Sequence, residues 1–433
     1  MTANLPPGPR YPGVVSLYLT QRHTRSFLES ASRRYGEIFA VRLIGGKTMV
    51  FVSDPALIEG VLTAPSDVLL GDARIQAVVG KHSVIVLSGP PHTAARELLL
   101  PALRGDHIER YAEMIERVCA KEVAEWPLGR PVELLPLLER ITLGVIKSAL
   151  FGTTGDGALD TLGVRFKELL GFRDKPISVA RLNVMRPGSG PPKSLLKLRE
   201  PFDAAVFAEI ERARQDPRLD QRDDILATLL KARHDDGSAL SDVEIRDHVT
   251  TLLIQGHEPT AVTLAWAFER LTRHPEILER LRAELEAGSE DYLDAVFKET
   301  LRVRPTEPLI VRMVAKPYRL REYELDLGTL IACNGFGMQL REDLYAEPHE
   351  FRPERFLEQD PGRYTWIAFG GGIRHCIGRT LATHEARYVL RTLVQKFRFT
   401  AAVQGDEGVR RRGILWIPKE GCRVVLTAGP GSE

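Results

Sequence analysis

The stretch Phe369-Gly370-Gly371-Gly372-Ile373-Arg374-His375-Cys376-Ile377-Gly378 decides how the rest of this chain is read. It puts one cysteine at the end of a glycine-rich loop, directly before a helical pattern over residues 377–396. Leu381, Ala382, Ala386, Val389, Leu390, Leu393 and Val394 form an apolar face there at helical spacing. A thiolate at such a helix start is favoured by the helix dipole and by backbone N–H groups that can hydrogen-bond sulfur. The glycines carry no side chains, so the backbone can approach a flat partner closely.

At its constrained positions (aromatic Phe369, Gly370, basic Arg374, Cys376, apolar Ile377, Gly378) the loop resembles the haem-binding loop of cytochromes P450. The resemblance implies heme b (iron-protoporphyrin IX, haem below) with Cys376 as the iron ligand. Phe369, Gly370, Arg374 and Gly378 would line the cofactor. The implied fold is mainly α: one large helical domain over residues 1–433, with a minor β part and a long central helix over the haem.

Composition fits a globular enzyme. The 433 residues carry 59 basic and 58 acidic side chains, so nothing favours nucleic acid or a polyanionic substrate. Cys119, Cys333, Cys376 and Cys422 lie far apart and form no C-x-x-C pair. That argues against a zinc site or a disulfide scaffold and points to a reducing, cytoplasmic setting. Residues 1–12 are rich in proline and lack the apolar run of a signal peptide or membrane span. Leu5-Pro6-Pro7-Gly8-Pro9 resembles the segment that follows the membrane anchor of microsomal P450s, and the match to the soluble bacterial type is better. Residues 428–433 read as a flexible tail.

Periodicity predicts helices over residues 108–124, 134–151, 202–215, 241–273, 276–286 and 292–303. A hairpin is expected over 39–52 around Gly45-Gly46, with β-prone stretches at 309–330 and 414–426. The 241–273 helix opens on a capping box, Ser241-x-x-Glu244, and closes before His274-Pro275. Its roughly thirty residues give a rod on the order of 45 Å. Loops 68–89 and 186–193 lack periodicity. In the P450 family they cover the substrate side, and Arg74, Arg173 and Arg181 in or near them hint at a polar or acidic substrate group.

Three further motifs extend the resemblance along the chain. Glu299-Thr300-Leu301-Arg302 is similar to the family's E-x-x-R, and Arg355 in Phe351-Arg352-Pro353-Glu354-Arg355-Phe356 would complete a buried Glu–Arg–Arg network that holds the Cys loop. His92 and Arg96 share a helix face at i, i+4 and resemble a clamp for haem propionates. Arg312 and Arg374 occupy the other basic positions expected for that job.

The third motif, Gln255-Gly256-His257-Glu258-Pro259-Thr260, departs from the family pattern. Pro259 stands where the oxygen-activating Thr is expected. Proline lacks an N–H and crowds the carbonyl four residues earlier, that of Gln255. Thr260 lies about 100° further around the helix, so its hydroxyl cannot replace the missing one directly. Glu258 is left as the side chain to deliver protons through water; His257 reads as a surface or satisfied core histidine.

The resemblance implies a monooxygenase that oxidises an apolar small molecule, usually by hydroxylation. Electrons would come from a separate ferredoxin or flavodoxin-type donor, met by basic residues such as Arg379, Arg387 and Arg391. A monomer without membrane or nucleic-acid partners is expected. Pro259 keeps two alternatives open: an H2O2-using peroxygenase, and an isomerase or dehydratase on the same scaffold. A haem carrier or sensor is the third reading.

Overall fold

The computed structural model describes residues 5–71, 75–103, 107–152, 157–172 and 191–429. It divides into two compact units: residues 1–70, 115–141 and 259–433 form one, and residues 71–114 and 142–258 the other. The division passes through the long helix between Glu258 and Pro259.

The first unit is organised by a five-stranded sheet. Its strands are β1 (Ile38–Arg42), β2 (Thr48–Val52), β3 (Leu69–Leu70), β4 (Leu309–Val314) and β5 (Leu330–Asn334), in the order β1-β2-β5-β4-β3. Only β2 and β5 pair in parallel, with Val50 opposite Ile331. The β1–β2 hairpin turns at the expected Gly45-Gly46, both with positive φ (78° and 74°), a conformation that favours glycine. Alternation along the strands sends Val50, Val52, Ile331 and Cys333 into one apolar cluster and Met49, Phe51, Leu330 and Ala332 into another.

The outer edge of β1 is covered by the proline-rich segment. The Ala40 N–H donates to the Pro7 carbonyl at 2.9 Å. Gly8 lies so close that a Cβ on it would fall 1.8 Å from the Ala40 carbonyl oxygen.

Helices carry most of the remaining chain. The predicted segments appear as His107–Val123, Leu134–Phe151, Asp242–Leu271, Pro275–Glu286, Asp291–Val303 and Arg379–Lys396. The capping box forms: the Glu244 carboxylate accepts from the Ser241 N–H at 2.8 Å, and the Glu244 N–H donates to the Ser241 hydroxyl at 3.3 Å. The backbone of Asp242–Leu271 stays helical through Pro259. The helix expected at 202–215 begins earlier, as Lys193–Arg214, and runs through Pro201. Helices Thr24–Tyr35, Pro55–Thr63 and Gly157–Leu170 were not expected from periodicity. Among the described residues, no helix is long and apolar enough to cross a membrane.

In the second unit the long helix packs closely on Leu134–Phe151. A Cβ on Gly256 would lie 2.7 Å from Ile146 Cδ1, so this glycine permits the contact between the two helices. His257 settles into the same core: its Nδ1 meets the Thr142 hydroxyl at 2.8 Å, and its ring stands edge-on to Phe166. It is a satisfied core histidine.

Candidate haem-thiolate site

The Cys loop belongs to the first unit. It folds back on itself through the Cys376 N–H, which donates to the Phe369 carbonyl at 3.0 Å. Gly370 and Gly372 adopt positive φ (71° and 62°). A Cβ on Gly372 would fall 1.9 Å from the Leu62 carbonyl, at the end of helix Pro55–Thr63, and one on Gly371 would fall 2.8 Å from the Tyr364 ring. Glycine is therefore demanded here by backbone conformation and by close neighbours.

Gly378 is different. Its φ is −88° as the residue before helix Arg379–Lys396, and apart from its immediate chain neighbours nothing in the protein lies within 4 Å of where its Cβ would be. Neither conformation nor packing within the chain requires a glycine there. It leaves open space two residues past Cys376.

The four cysteines differ sharply in setting. Cys119, Cys333 and Cys422 are buried, and burial raises their thiol pKa values, to about 12 for the first two and well above the ordinary value for Cys422. Cys376 is exposed. A metal needs a thiolate it can reach, and Cys376 alone among the four has that setting.

Behind the loop lies the buried ion network. Glu299 and Arg302 on helix Asp291–Val303 are fully buried and joined by two hydrogen bonds, and Arg355 Nε reaches Glu299 Oε1 at 3.1 Å. The same oxygen accepts the Arg352 N–H at 2.9 Å. The network connects to the loop by two routes. Arg302 lies over the Tyr345 ring, whose hydroxyl donates to the Thr365 carbonyl at 3.0 Å. Trp366 Nε1 donates to the Lys298 carbonyl at 3.2 Å, and its ring meets Phe369 edge-on at 6.0 Å. The expected network is thus present, with a visible path to the cysteine.

Arg312 lies on β4 and is buried. Its Nη1 donates to the Val311 carbonyl at 3.0 Å. Every other buried arginine among the described residues has a carboxylate: Arg246 with Asp247, Arg270 with Glu269, Arg282 with Glu279, Arg302 and Arg355 with Glu299, Arg304 with Asp406. Arg312 has none. Burial lowers its pKa; no carboxylate offsets the loss of water, and only Cys333 opposes the shift. An external carboxylate, such as a haem propionate, suits it.

Phe369 is half-buried, with the Arg379 guanidinium 5.6 Å from its ring centre; Arg374 is half-buried in the turn Gly372–Arg374. Arg387 and Arg391, expected to present basic charge to a donor protein, are already engaged by Glu290, and Arg387 also by Asp294. Thr260 is buried in this unit, and Thr263 donates its hydroxyl to the Pro259 carbonyl at 2.8 Å.

In the second unit, His92 is buried and Arg96 half-buried on helix Pro90–Leu99, one turn apart as expected. Glu258 is buried. The supposed loop 68–89 carries a short helix, Gln76–Val79, and is pinned to the long helix by side chains that sequence periodicity did not single out. Asp247 Oδ2 accepts the His82 N–H at 2.9 Å, and the Thr251 and Ser83 hydroxyls meet at 2.7 Å. Arg74, Arg173, Arg181 and residues 186–190 lie outside the described residues.

The donor set therefore fits a haem: one reachable cysteine in a glycine-shaped loop, open space at Gly378, and a buried arginine lacking a protein anion. Comparison with known proteins agrees. The profile named Cytochrome P450 matches residues 6–422. The putative cytochrome P450 137 of Mycobacterium tuberculosis is 38% identical over 90% of this chain and 83% of its own length. The putative cytochrome P450 135B1 of Mycobacterium bovis is 33% identical over 98% of this chain and 92% of its own. Among solved structures, retinoic acid-bound cyanobacterial CYP120A1 superposes with a TM-score of 0.84 at 23% identity, covering 99% of this chain and 100% of that one. The heme domain of cytochrome P450DA gives 0.82 at 21%, covering 99% of both chains.

These proteins share one class, the haem-thiolate monooxygenases. This chain belongs to the cytochrome P450 family.

Proposed function

We propose that this P450 acts as a single catalytic domain in the cytoplasm, a monomer that hydroxylates an apolar small molecule with O2 and electrons from a separate ferredoxin or flavodoxin-type protein. Cys376 is the iron ligand. His92, Arg96, Arg312 and Arg374 hold the propionates, and Phe369, Gly370 and Gly378 shape the loop against the ring. When bound, the haem supplies oxygen activation, with electron donation from sulfur favouring O–O cleavage. The observation that carries this reading is the contrast among cysteines: three sealed thiols and one exposed at the end of the glycine loop.

The chain's own task is to hold that geometry and move protons. Arg302 and Arg355 neutralise Glu299 and fix the scaffold under Tyr345 and Trp366, which keeps Cys376 in place. Glu258 would carry protons from water, because Pro259 offers neither a hydroxyl nor an N–H. Thr260 shapes the helix beside it.

Pro259 also supports a second reading, in which H2O2 replaces O2 and the electron donor, or the scaffold catalyses an isomerisation or dehydration. Comparing turnover driven by NADPH with a surrogate ferredoxin against turnover driven by H2O2 separates the two. Turnover only with H2O2 overturns the monooxygenase reading. A Cys376→Ser variant that keeps the red-shifted carbonyl band of a thiolate-ligated ferrous haem overturns the ligand assignment.

A further inference from the structure

The turn after helix Asp291–Val303 is fixed on three sides within the first unit. The Thr306 carbonyl accepts the Trp416 N–H at 2.8 Å. The Thr306 hydroxyl meets the Thr263 hydroxyl at 2.9 Å, and Thr263 in turn donates to the Pro259 carbonyl. The Pro308 carbonyl accepts the Phe336 N–H at 3.4 Å. Glu307 sits between these anchors, so its backbone has little freedom.

Its side chain differs from the paired deep acids, and also from Glu385, which lacks an ion pair too among the described residues but is 1% exposed with Oε1 sealed from solvent. Glu299 has two arginines, Glu269 has Arg270, and Asp247 has Arg246. Glu307 forms no ion pair and accepts no hydrogen bond among the described residues. It is half-buried, so part of the residue stays exposed. Desolvation is the sole cause of a rise in its pKa to about 7; no charged group of any neighbouring element contributes. A carboxyl in this setting relieves its burial by keeping a proton near neutral pH, and a cation arriving from outside favours the ionised form.

We propose that Glu307 binds a cationic nitrogen of the substrate, so that this enzyme takes apolar molecules bearing an ammonium-type group, held beside the segment of the long helix that carries Pro259. The proposal rests on the P450 reading for its catalytic meaning. It makes Glu307 a substrate-positioning residue and not a participant in the chemistry. A neutral hydrogen-bond donor or a carboxylate shared with protonated Glu307 are the competing occupants.

The test uses hexyltrimethylammonium, which cannot ligate iron, its uncharged carbon isostere 2,2-dimethyloctane, and octanoate. Binding to the haem-loaded full chain is followed by calorimetry and by the Soret low-spin to high-spin shift, in wild type, Glu307→Gln and Glu307→Asp. The cation should bind wild type at least about tenfold tighter than the isostere, a difference of about 1.4 kcal/mol. Glu307→Gln should erase that preference, and Glu307→Asp should keep most of it. No calorimetric binding of the cation, equal affinity for cation and isostere, tighter binding of octanoate, or unchanged preference in Glu307→Gln each overturns the proposal. The ferrous-carbonyl band of the same samples reports separately on the haem-thiolate reading. A missing thiolate band with intact, Glu307-dependent cation binding would sink that reading and leave the cation site standing.

Discussion

Arg302 meets Glu299 through two hydrogen bonds, Nε to Oε2 at 2.7 Å and Nη2 to Oε1 at 2.8 Å, with neither side chain reached by solvent. Its other donors run to the carbonyls of Gln339, Pro348 and Glu350 at 2.9, 2.7 and 3.0 Å. All five N–H groups of a guanidinium are thereby used. Glu299→Gln leaves Arg302 and Arg355 buried without their counter-charge and should cost about 3–5 kcal/mol in urea denaturation. Arg302→Lys keeps the charge but cannot reproduce the fork, and should cost nearly as much.

Two glycines of the Cys loop should separate folding from cofactor retention. Gly372→Ala forces a Cβ into the Leu62 carbonyl at a positive φ and should destabilise the protein by about 2 kcal/mol or more, with or without haem. Gly378→Ala meets no protein atom beyond its immediate chain neighbours and should leave the melting of haem-free protein within about 0.5 kcal/mol of wild type. Its effect should appear only as faster haem loss to apomyoglobin, read from the Soret band.

The third prediction concerns Gly256. Gly256→Ala drives a Cβ against Ile146 Cδ1 and should cost about 1–3 kcal/mol by overpacking, despite alanine's better helix propensity. Adding Ile146→Val removes the offending methyl and should restore part of the loss, so a double-mutant cycle would show coupling. Additive costs would mean that the helix contact is not what the glycine serves.

His248 sets an acid limit. It is buried on the long helix, its Nδ1 has no partner, and desolvation lowers its pKa from 6.5 to about 4; Glu244 opposes the shift and His82 adds to it. The unfolded chain therefore binds the proton first as pH falls. Stability is complete above pH 6.5 and declines as pH drops from 6.5 towards 4, by about 3 kcal/mol in total from this group. His248→Gln should flatten that limb of the pH–stability curve measured by urea titration. An unchanged slope would count against the buried neutral histidine.

Much of this was legible because local chemistry fixed it. The glycine loop, the capping box at Ser241 and Glu244, and the Glu299–Arg302 spacing are short-range patterns, and the structure shows each as read. The partnership of Arg355 came only through resemblance, since fifty-six residues separate it from Glu299. Helix Lys193–Arg214 extends beyond the predicted 202–215 segment and runs through Pro201. The anchoring of Ser83 and His82 to Thr251 and Asp247 spans more than 160 residues, beyond any periodicity. The isolation of Arg312 was equally invisible, because a missing partner becomes apparent only once every neighbour is placed.

The proline-rich opening segment has a consequence for solubility. β1 is an edge strand, and such edges invite pairing with other chains. Pro7 occupies the Ala40 N–H, Gly8 presses on the neighbouring carbonyl, and Pro6 and Pro7 have no N–H to extend the ladder. The segment thus works as a guard against self-association. Trimming the first ten residues would expose a strand able to recruit copies of itself into aggregates, even with every residue around Cys376 intact.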